Sequence, residues 1–410
     1  MSSKSAEHDI VKKTEAETLA TFQQEIPSQY FSHMGDPEYK RHVENAEYLY
    51  RDLLKFPPKM FDSASLIDFG AGTGENTIYF ANWGARCTLV EMNDKAHNIS
   101  KEVFSRYARN KDLHKFVCSS IFDYSPNDGK EYDIVHCRGV LSHTAANKRA
   151  FKKVSTFVKP GGFLIYSDPN KAGGFQNMLQ RFAVYHFATT PEEMVQVCEK
   201  LFKEDIDRSQ KAVPRTRRAI IFDRWVIQSQ DDPSVSEVAA WGQESGLRLY
   251  SSHPPVLLPF FGDSLHHRPK TDPYSFHELF SIAELTWMMQ TESDAEFLPK
   301  ITAQMSHFAG SLSKLSSHVQ NFNVHKAPLG SEFAELSRSL VSSFNKLDLL
   351  SPLRNKLAVF ASEAEAFVKV VNDGRLEQVR KFIENSKYLF KGACGMRLGL
   401  FILYKPVQTL

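Results

Sequence analysis

The chain has 410 residues, 42% of them apolar, with 31 Phe and 14 Tyr, which excludes a charge-solvated disordered chain and allows two or three domains. Lys plus Arg number 50 against 48 Asp plus Glu, and this net charge of +2 supplies no general field for gripping nucleic acid. Residues Met1 to Glu7 hold no apolar stretch, and the longest plain apolar run, Leu400 to Tyr404, is far short of a bilayer span. Cysteines 87, 118, 137, 198 and 394 show no paired spacing, which argues against a disulfide framework or a zinc site and for a reducing compartment. A cytoplasmic protein without a membrane span is expected.

The segment to Pro58 reads as helical, with Tyr30-Phe31 and Arg41-His42 as its notable residues. From Leu66 a short apolar strand runs through Asp68 into Gly70-Ala71-Gly72-Thr73-Gly74, which opens an amphipathic helix at Ile78. Glycines serve where a backbone turns sharply or a ligand approaches the main chain closely. A second strand, Cys87 to Val90, ends in Glu91, where a carboxylate can accept both hydroxyls of a ribose. Dinucleotides prefer G-x-G-x-x-G with the pyrophosphate at the helix start, but Glu75 holds the place of their third glycine. A carboxylate facing a pyrophosphate is repelled, whereas Asp68 suits a ligand with an ammonium group. S-adenosylmethionine is such a ligand, a zwitterion with a sulfonium and no phosphate.

The segment resembles the first motif of class I S-adenosylmethionine-dependent methyltransferases, an acid followed by G-x-G-x-G, met here by Asp68, Gly70, Gly72 and Gly74. The resemblance implies that Ala71 lies in the same loop, that Glu91 binds the ribose and that Met92 lies beside the adenine. It places Val117 to Tyr124 at the adenine-contacting loop, where many relatives carry Gly-Asp at Ser119-Ser120. This chain lacks that Asp, leaving Ser120 beside Ile121, or Asp123, to stand in. Tyr132 to Thr144 resembles the fourth strand and its loop, with Arg138 among the cofactor residues, and Val158 to Tyr166 the fifth. The implied architecture is an α/β Rossmann-like sheet of order 3-2-1-4-5-7-6 with only the seventh strand antiparallel.

Beyond the motifs, Ser234 to Trp241 reads as a capped helix, Leu247 to Tyr250 as a sixth strand and Met396 to Lys405 as the seventh. Between them, Ile301, Met305, Phe308, Leu312, Leu315, Val319 and Phe322 recur at helical spacing. Leu336, Leu340, Phe344 and Leu347 follow, and then Leu357, Phe360, Ala364, Phe367 and Val371. These stripes predict a bundle of three or four helices, as core packing or as the interface of a homo-oligomer. The expected division is 1–60, a helical segment covering the cofactor; 61–170, 231–252 and 394–410, the methyltransferase core; 171–230, a substrate lid; and 253–393, the helical insertion. Insertions after strands five and six emerge on the face where ligands bind.

Methyl transfer to a hydroxyl gains from a general base, and His143, just past the fourth strand, is the candidate, with a loop-ordering role as its alternative. Asp168, Asn170, Tyr185 and His186 are candidates for positioning the acceptor; His253, His266 and His267 are secondary. The run Arg215-Thr216-Arg217-Arg218 could attract a phosphate or carboxylate, or form a solvated face. No acid ends the fourth strand, so no metal is expected. The expected activity is methylation of a hydroxyl or amine on a small-molecule acceptor (a sugar, lipid-linked or secondary metabolite). A protein or carrier-bound acceptor, and a non-catalytic cofactor-binding partner protein, are the alternatives.

Overall fold

The computed structural model describes residues 3–27, 29–31, 35–126, 129–213, 215–253, 255–256, 277–289, 302–346, 351–391 and 398–407. His266, His267, Ile301, Leu347, Cys394, Met396 and Arg397 lie outside the described residues. Among the described residues seven strands form one sheet: β1 (Ser65–Phe69), β2 (Arg86–Glu91), β3 (Lys115–Cys118), β4 (Tyr132–Arg138), β5 (Val158–Pro169), β6 (Arg248–His253) and β7 (Leu398–Tyr404). Their order is β3-β2-β1-β4-β5-β7-β6, with β7 antiparallel to both neighbours. This is the α/β sheet expected from the motifs. The predicted sixth strand extends three residues further, through an irregularity between Leu249 and Ser251.

Helices α1 (Ser3–Gln24) and α2 (Asp36–Tyr48) precede the sheet, and α3 (Ile78–Asn82), α4 (Asp94–Tyr107) and α5 (Asn147–Ser155) connect its parallel strands. Side chains alternate between faces along each strand, so neighbours in sequence feed different cores. Leu66, Ile134, Ile165 and Ile402 pack with α3, α4 and the aromatic cluster Tyr50, Phe56 and Phe61. Ile67, Val135, Leu164 and Leu403 pack on the other face with Phe151 of α5 and with Trp241. The strand order reverses between β1 and β4, which run parallel, and their carboxyl ends open the crevice where ligands bind in open parallel sheets.

After β5 come α6 (Phe175–Phe187), α7 (Pro191–Leu201), α8 (Lys203–Ala212) and α9 (Arg217–Ile221), then α10 (Val235–Glu244) before β6. Ser234 caps α10 in a capping box with Glu237, which is why that boundary was readable. Helices α11 (Phe280–Met289), α12 (Thr302–His325), α13 (Ser331–Phe344), α14 (Ser351–Asp373) and α15 (Leu376–Asn385) lie between β6 and β7.

The sequence divides 171–230 from 253–393, but in the structure the two share one hydrophobic core. Every residue of α6 from Phe175 to Val184 is buried, Gln176, Asn177, Gln180 and Arg181 included, so the helix sits inside this body rather than on it. Phe182 meets Phe322 of α12 edge-on at 5.1 Å, and Phe175 lies 6.0 Å from Phe360 of α14. Each fully buried side chain of this kind contributes roughly 1.5–3 kcal/mol. Arg181, also on α6, is fully buried and donates through its two terminal nitrogens to the carbonyls of Arg224, Ile227 and Gln228, which ties α6 to the following segment.

Candidate functional site

The glycine loop takes its shape from positive backbone angles, with φ of 68° at Gly70 and 55° at Gly72. A Cβ on Gly70 would stand 2.4 Å from Val140, so β1 and the loop after β4 close to a distance only glycine permits. Glu91 ends β2 with one carboxylate oxygen accepting from Gly72 N at 2.7 Å and the other from Asn93 N at 2.8 Å. It therefore fixes the loop that it borders, and burial pushes its pKa upward. Asp68 accepts from His136 Nδ1 at 2.7 Å and from the Thr77 hydroxyl.

These residues border a cavity of about 690 Å³. Of the expected cofactor residues, Asp68, Gly70, Ala71, Gly72, Glu91, Met92, Ile121 and Arg138 line it. Gly74 does not: a Cβ there would press within 3.2 Å of Phe104, Leu89 and Ser100, so this glycine serves close packing of α4. Ser120 is turned away as well, because its hydroxyl meets Glu15 and accepts from Phe122 N.

Helix α1 roofs the cavity with Glu15, Thr18, Leu19 and Phe22. It is pinned to the loops after β2 and β3, with Lys12 paired to Asp123 at 2.9 Å and Asn93 Nδ2 donating to Phe22 O at 3.2 Å. The cavity is lined as well by Tyr30, Arg41, His42, Tyr79, Val213, Arg215 and Arg224. Glu75, the residue that displaced the third dinucleotide glycine, holds this wall instead of facing a ligand. Its buried carboxylate accepts from the backbone N–H of Tyr30 at 2.6 Å and of Phe31 at 2.9 Å. His42 donates through Nε2 to Glu75 O at 2.8 Å, and burial lowers its pKa to about 4, so the ring there is neutral.

His143 lines the cavity. Its Nδ1 lies 2.9 Å from Ser229 O, and since a carbonyl only accepts, Nδ1 carries the proton and Nε2 is the basic nitrogen of the neutral ring. Phe22 meets the ring edge-on at 5.7 Å.

The four expected acceptor residues do not border the cavity. Asp168 turns under the loop after β4, accepting from Ser142 Oγ at 2.9 Å and Leu141 N at 3.2 Å. Asn170 accepts from the N–H groups of Ala172 and Gly173 and donates to Glu284, so it shapes the entry to α6. Tyr185 donates to Val226 O at 3.2 Å inside the helical body, and His186 is exposed beside Phe187. Of the basic run only Arg215 lines the cavity; Arg217 pairs with Glu199 and Asp207, and Arg218 with Glu192 and Glu25. His253 is partly buried at the end of β6 and is not among the lining residues. Among the described residues no three His, Cys, Asp or Glu side chains are grouped to hold a metal ion.

Burial raises Asp168 to about pKa 7, against 3.8 for a free carboxyl. The folded state thus holds this proton more tightly than the unfolded chain does. The resulting stabilisation is full below the unfolded value and is lost as pH rises through about 7. Between pH 5 and 8 the protein is expected to lose about 2–3 kcal/mol relative to Asp168→Asn, which cannot ionise. Denaturant unfolding at both pH values checks this, and parallel curves would contradict it.

The mostly parallel sheet, the positive-φ glycine loop and the acid at the end of β2 are the arrangement that the sequence's resemblance to class I S-adenosylmethionine-dependent methyltransferases implies. Residues 39–200 match the family described as methyltransferase domain. The ubiquinone biosynthesis O-methyltransferase of Coxiella burnetii is 28% identical over 107 residues, 26% of this chain and 44% of that protein. Its counterpart in Colwellia psychrerythraea is 27% identical over 120 residues, 27% of this chain and 44% of that protein. The chain therefore spans less than half the length of these relatives. Among solved structures, mitomycin 7-O-methyltransferase is 17% identical with a TM-score of 0.34, covering 58% of this chain and 57% of its own. Magnesium protoporphyrin IX methyltransferase from Synechocystis PCC 6803 is 14% identical with a TM-score of 0.31, covering 52% and 75%.

No helix among the described residues is long and apolar enough to cross a membrane.

Proposed function

We propose that the chain transfers a methyl group from S-adenosylmethionine to a hydroxyl or amine of a small-molecule acceptor. The observation that carries this reading is one cavity with two kinds of lining. The glycine loop and Glu91 border it, and so do aromatic and basic side chains, Tyr30, His42, Tyr79, Arg138, Arg215 and Arg224. The similarity to O-methyltransferases over 107 residues favours a hydroxyl as the accepting group.

When bound, S-adenosylmethionine supplies an electrophilic methyl on a sulfonium. Glu91 would take the ribose hydroxyls, the bare Gly70 and Gly72 leave room for the methionyl chain, and Asp68 gives its ammonium an acidic neighbour. Helix α1 and residues 209–224 exclude water and hold the acceptor in line, within the roughly 3–3.5 Å that displacement requires. His143, its proton fixed on Nδ1, receives the hydroxyl proton at Nε2 as the new bond forms.

His143→Gln is expected to lower kcat about 100- to 1,000-fold at unchanged S-adenosylhomocysteine affinity, and to flatten the acid limb of the pH profile. Unchanged kcat would return His143 to an ordering role. The activity itself is tested by incubating the protein with S-adenosylmethionine labelled in its methyl group and a metabolite extract. Label in the small-molecule fraction supports the proposal, and label confined to protein opposes it.

A further inference from the structure

Four arginines line the cavity. Three have acidic partners: Arg41 meets Glu38 at 2.9 Å, Arg215 meets Asp223 at 3.1 Å and Arg224 meets Asp205 at 3.7 Å. Arg138, at the end of β4, has no carboxylate within ion-pair distance among the described residues. Asp68 is opposite His136 in register and is already taken by His136 and Thr77.

The groups facing the Arg138 guanidinium are phenols: Tyr79, Tyr30 and Tyr50. Tyr79 lines the cavity and is 1% exposed, with its hydroxyl beside the Arg138 guanidinium and the Tyr50 hydroxyl. His42 in the same wall is held neutral. A partly buried guanidinium without a counter-charge is costly, and this one faces the cavity with the Tyr79 hydroxyl beside it. An anionic oxygen pair placed there would supply the counter-charge, since guanidinium is suited to bidentate pairing with a carboxylate.

Of the other acids that line the cavity, Glu38 and Asp223 are paired with Arg41 and Arg215 and Asp68 with His136, whereas Arg138 shares Tyr30 with Arg215, whose guanidinium lies 6.0 Å over that ring. We infer that the acceptor carries a carboxylate or similar single anion, held by the Arg138 guanidinium and the Tyr79 hydroxyl, with its ring or chain packed against Tyr30. This inference rests on the methyltransferase reading, whose substrate class it narrows.

The test uses benzoate and its neutral isostere benzamide as probes, titrated calorimetrically into full-length protein with and without saturating S-adenosylhomocysteine. Benzoate is expected to bind at least about tenfold tighter than benzamide, the scale of one charge-assisted pair. Arg138→Gln should bring the two probes together while S-adenosylhomocysteine affinity stays within about twofold, because the guanidinium serves the acceptor. Tyr79→Phe, which leaves the charge in place, should narrow the preference severalfold, so the inference does not depend on one variant folding. Equal binding of the probes by wild type would overturn it. So would an Arg138→Gln variant that loses S-adenosylhomocysteine affinity and keeps the benzoate preference, since the guanidinium would then serve the cofactor. If wild type fails to bind S-adenosylhomocysteine, the methyltransferase reading falls, and the probe preference of the ligand-free protein still decides the anion site.

Discussion

Gly72→Asp is expected to weaken S-adenosylhomocysteine binding at least about 100-fold, equivalent to about 2.7 kcal/mol. Two effects converge at this position. Gly72 has φ of 55°, a conformation that Asp tolerates better than most residues, so the loop strain is modest and the fold should survive. The new carboxylate, however, enters the space beside the main chain where a ligand must lie. It also stands near Glu91, whose carboxylate accepts from Gly72 N at 2.7 Å and is already short of solvent. Two acids in one poorly hydrated cleft repel, so one must take up a proton or the loop must shift. Gly72→Asn has the same bulk without the charge and should fall between wild type and Asp. Calorimetric titration of the three proteins reads the effect directly. An Asp variant that binds like wild type would remove the glycine loop from the cofactor site.

The second large effect is expected on stability, from Glu75→Ala. The Glu75 carboxylate is buried and takes two backbone N–H groups, those of Tyr30 and Phe31, from a segment 44 residues or more away in the chain. Truncation strands both donors at about 1–3 kcal/mol each, giving a loss of about 3–5 kcal/mol. Glu75→Gln keeps an accepting oxygen and should lose less than half of that. Because Tyr30 lines the cavity beside Arg138, the Ala variant should also lose the benzoate preference before it loses cofactor affinity. Denaturant unfolding and the same titrations check both parts. A stability within about 0.5 kcal/mol of wild type would mean that Glu75 does not tie this strap to the sheet.

Much of the sheet could be read because its signals are local. Strand β1 and the glycines after it are contiguous, Glu91 ends the next apolar run, and Ser234 with Glu237 marks a helix start by spacing alone. The strand order came with the family resemblance and matches the sheet. What the sequence left hidden depends on tertiary pairing. Asp168 and Asn170 have the residue types of an acceptor site, but Ser142, Leu141 and Glu284 claim them from distant positions. Ser120 was a reasonable adenine acceptor until Glu15 of α1, 105 residues earlier, engaged it. The significance of Arg138 lies in the carboxylate that it lacks, and only the folded chain shows which arginines find acids. The single core shared by 171–230 and 253–393 was hidden for the same reason: the stripes showed which faces are apolar but not which stripes meet. In α6 the polar Gln176, Asn177, Gln180 and Arg181 concealed a helix that the fold buries on all sides.

The most direct test of the central claim is calorimetric titration of the wild-type protein with S-adenosylmethionine, S-adenosylhomocysteine and NADH in parallel. The account predicts micromolar binding of the two sulfur ligands and none of NADH. Binding of NADH alone, or of none of the three, would contradict it.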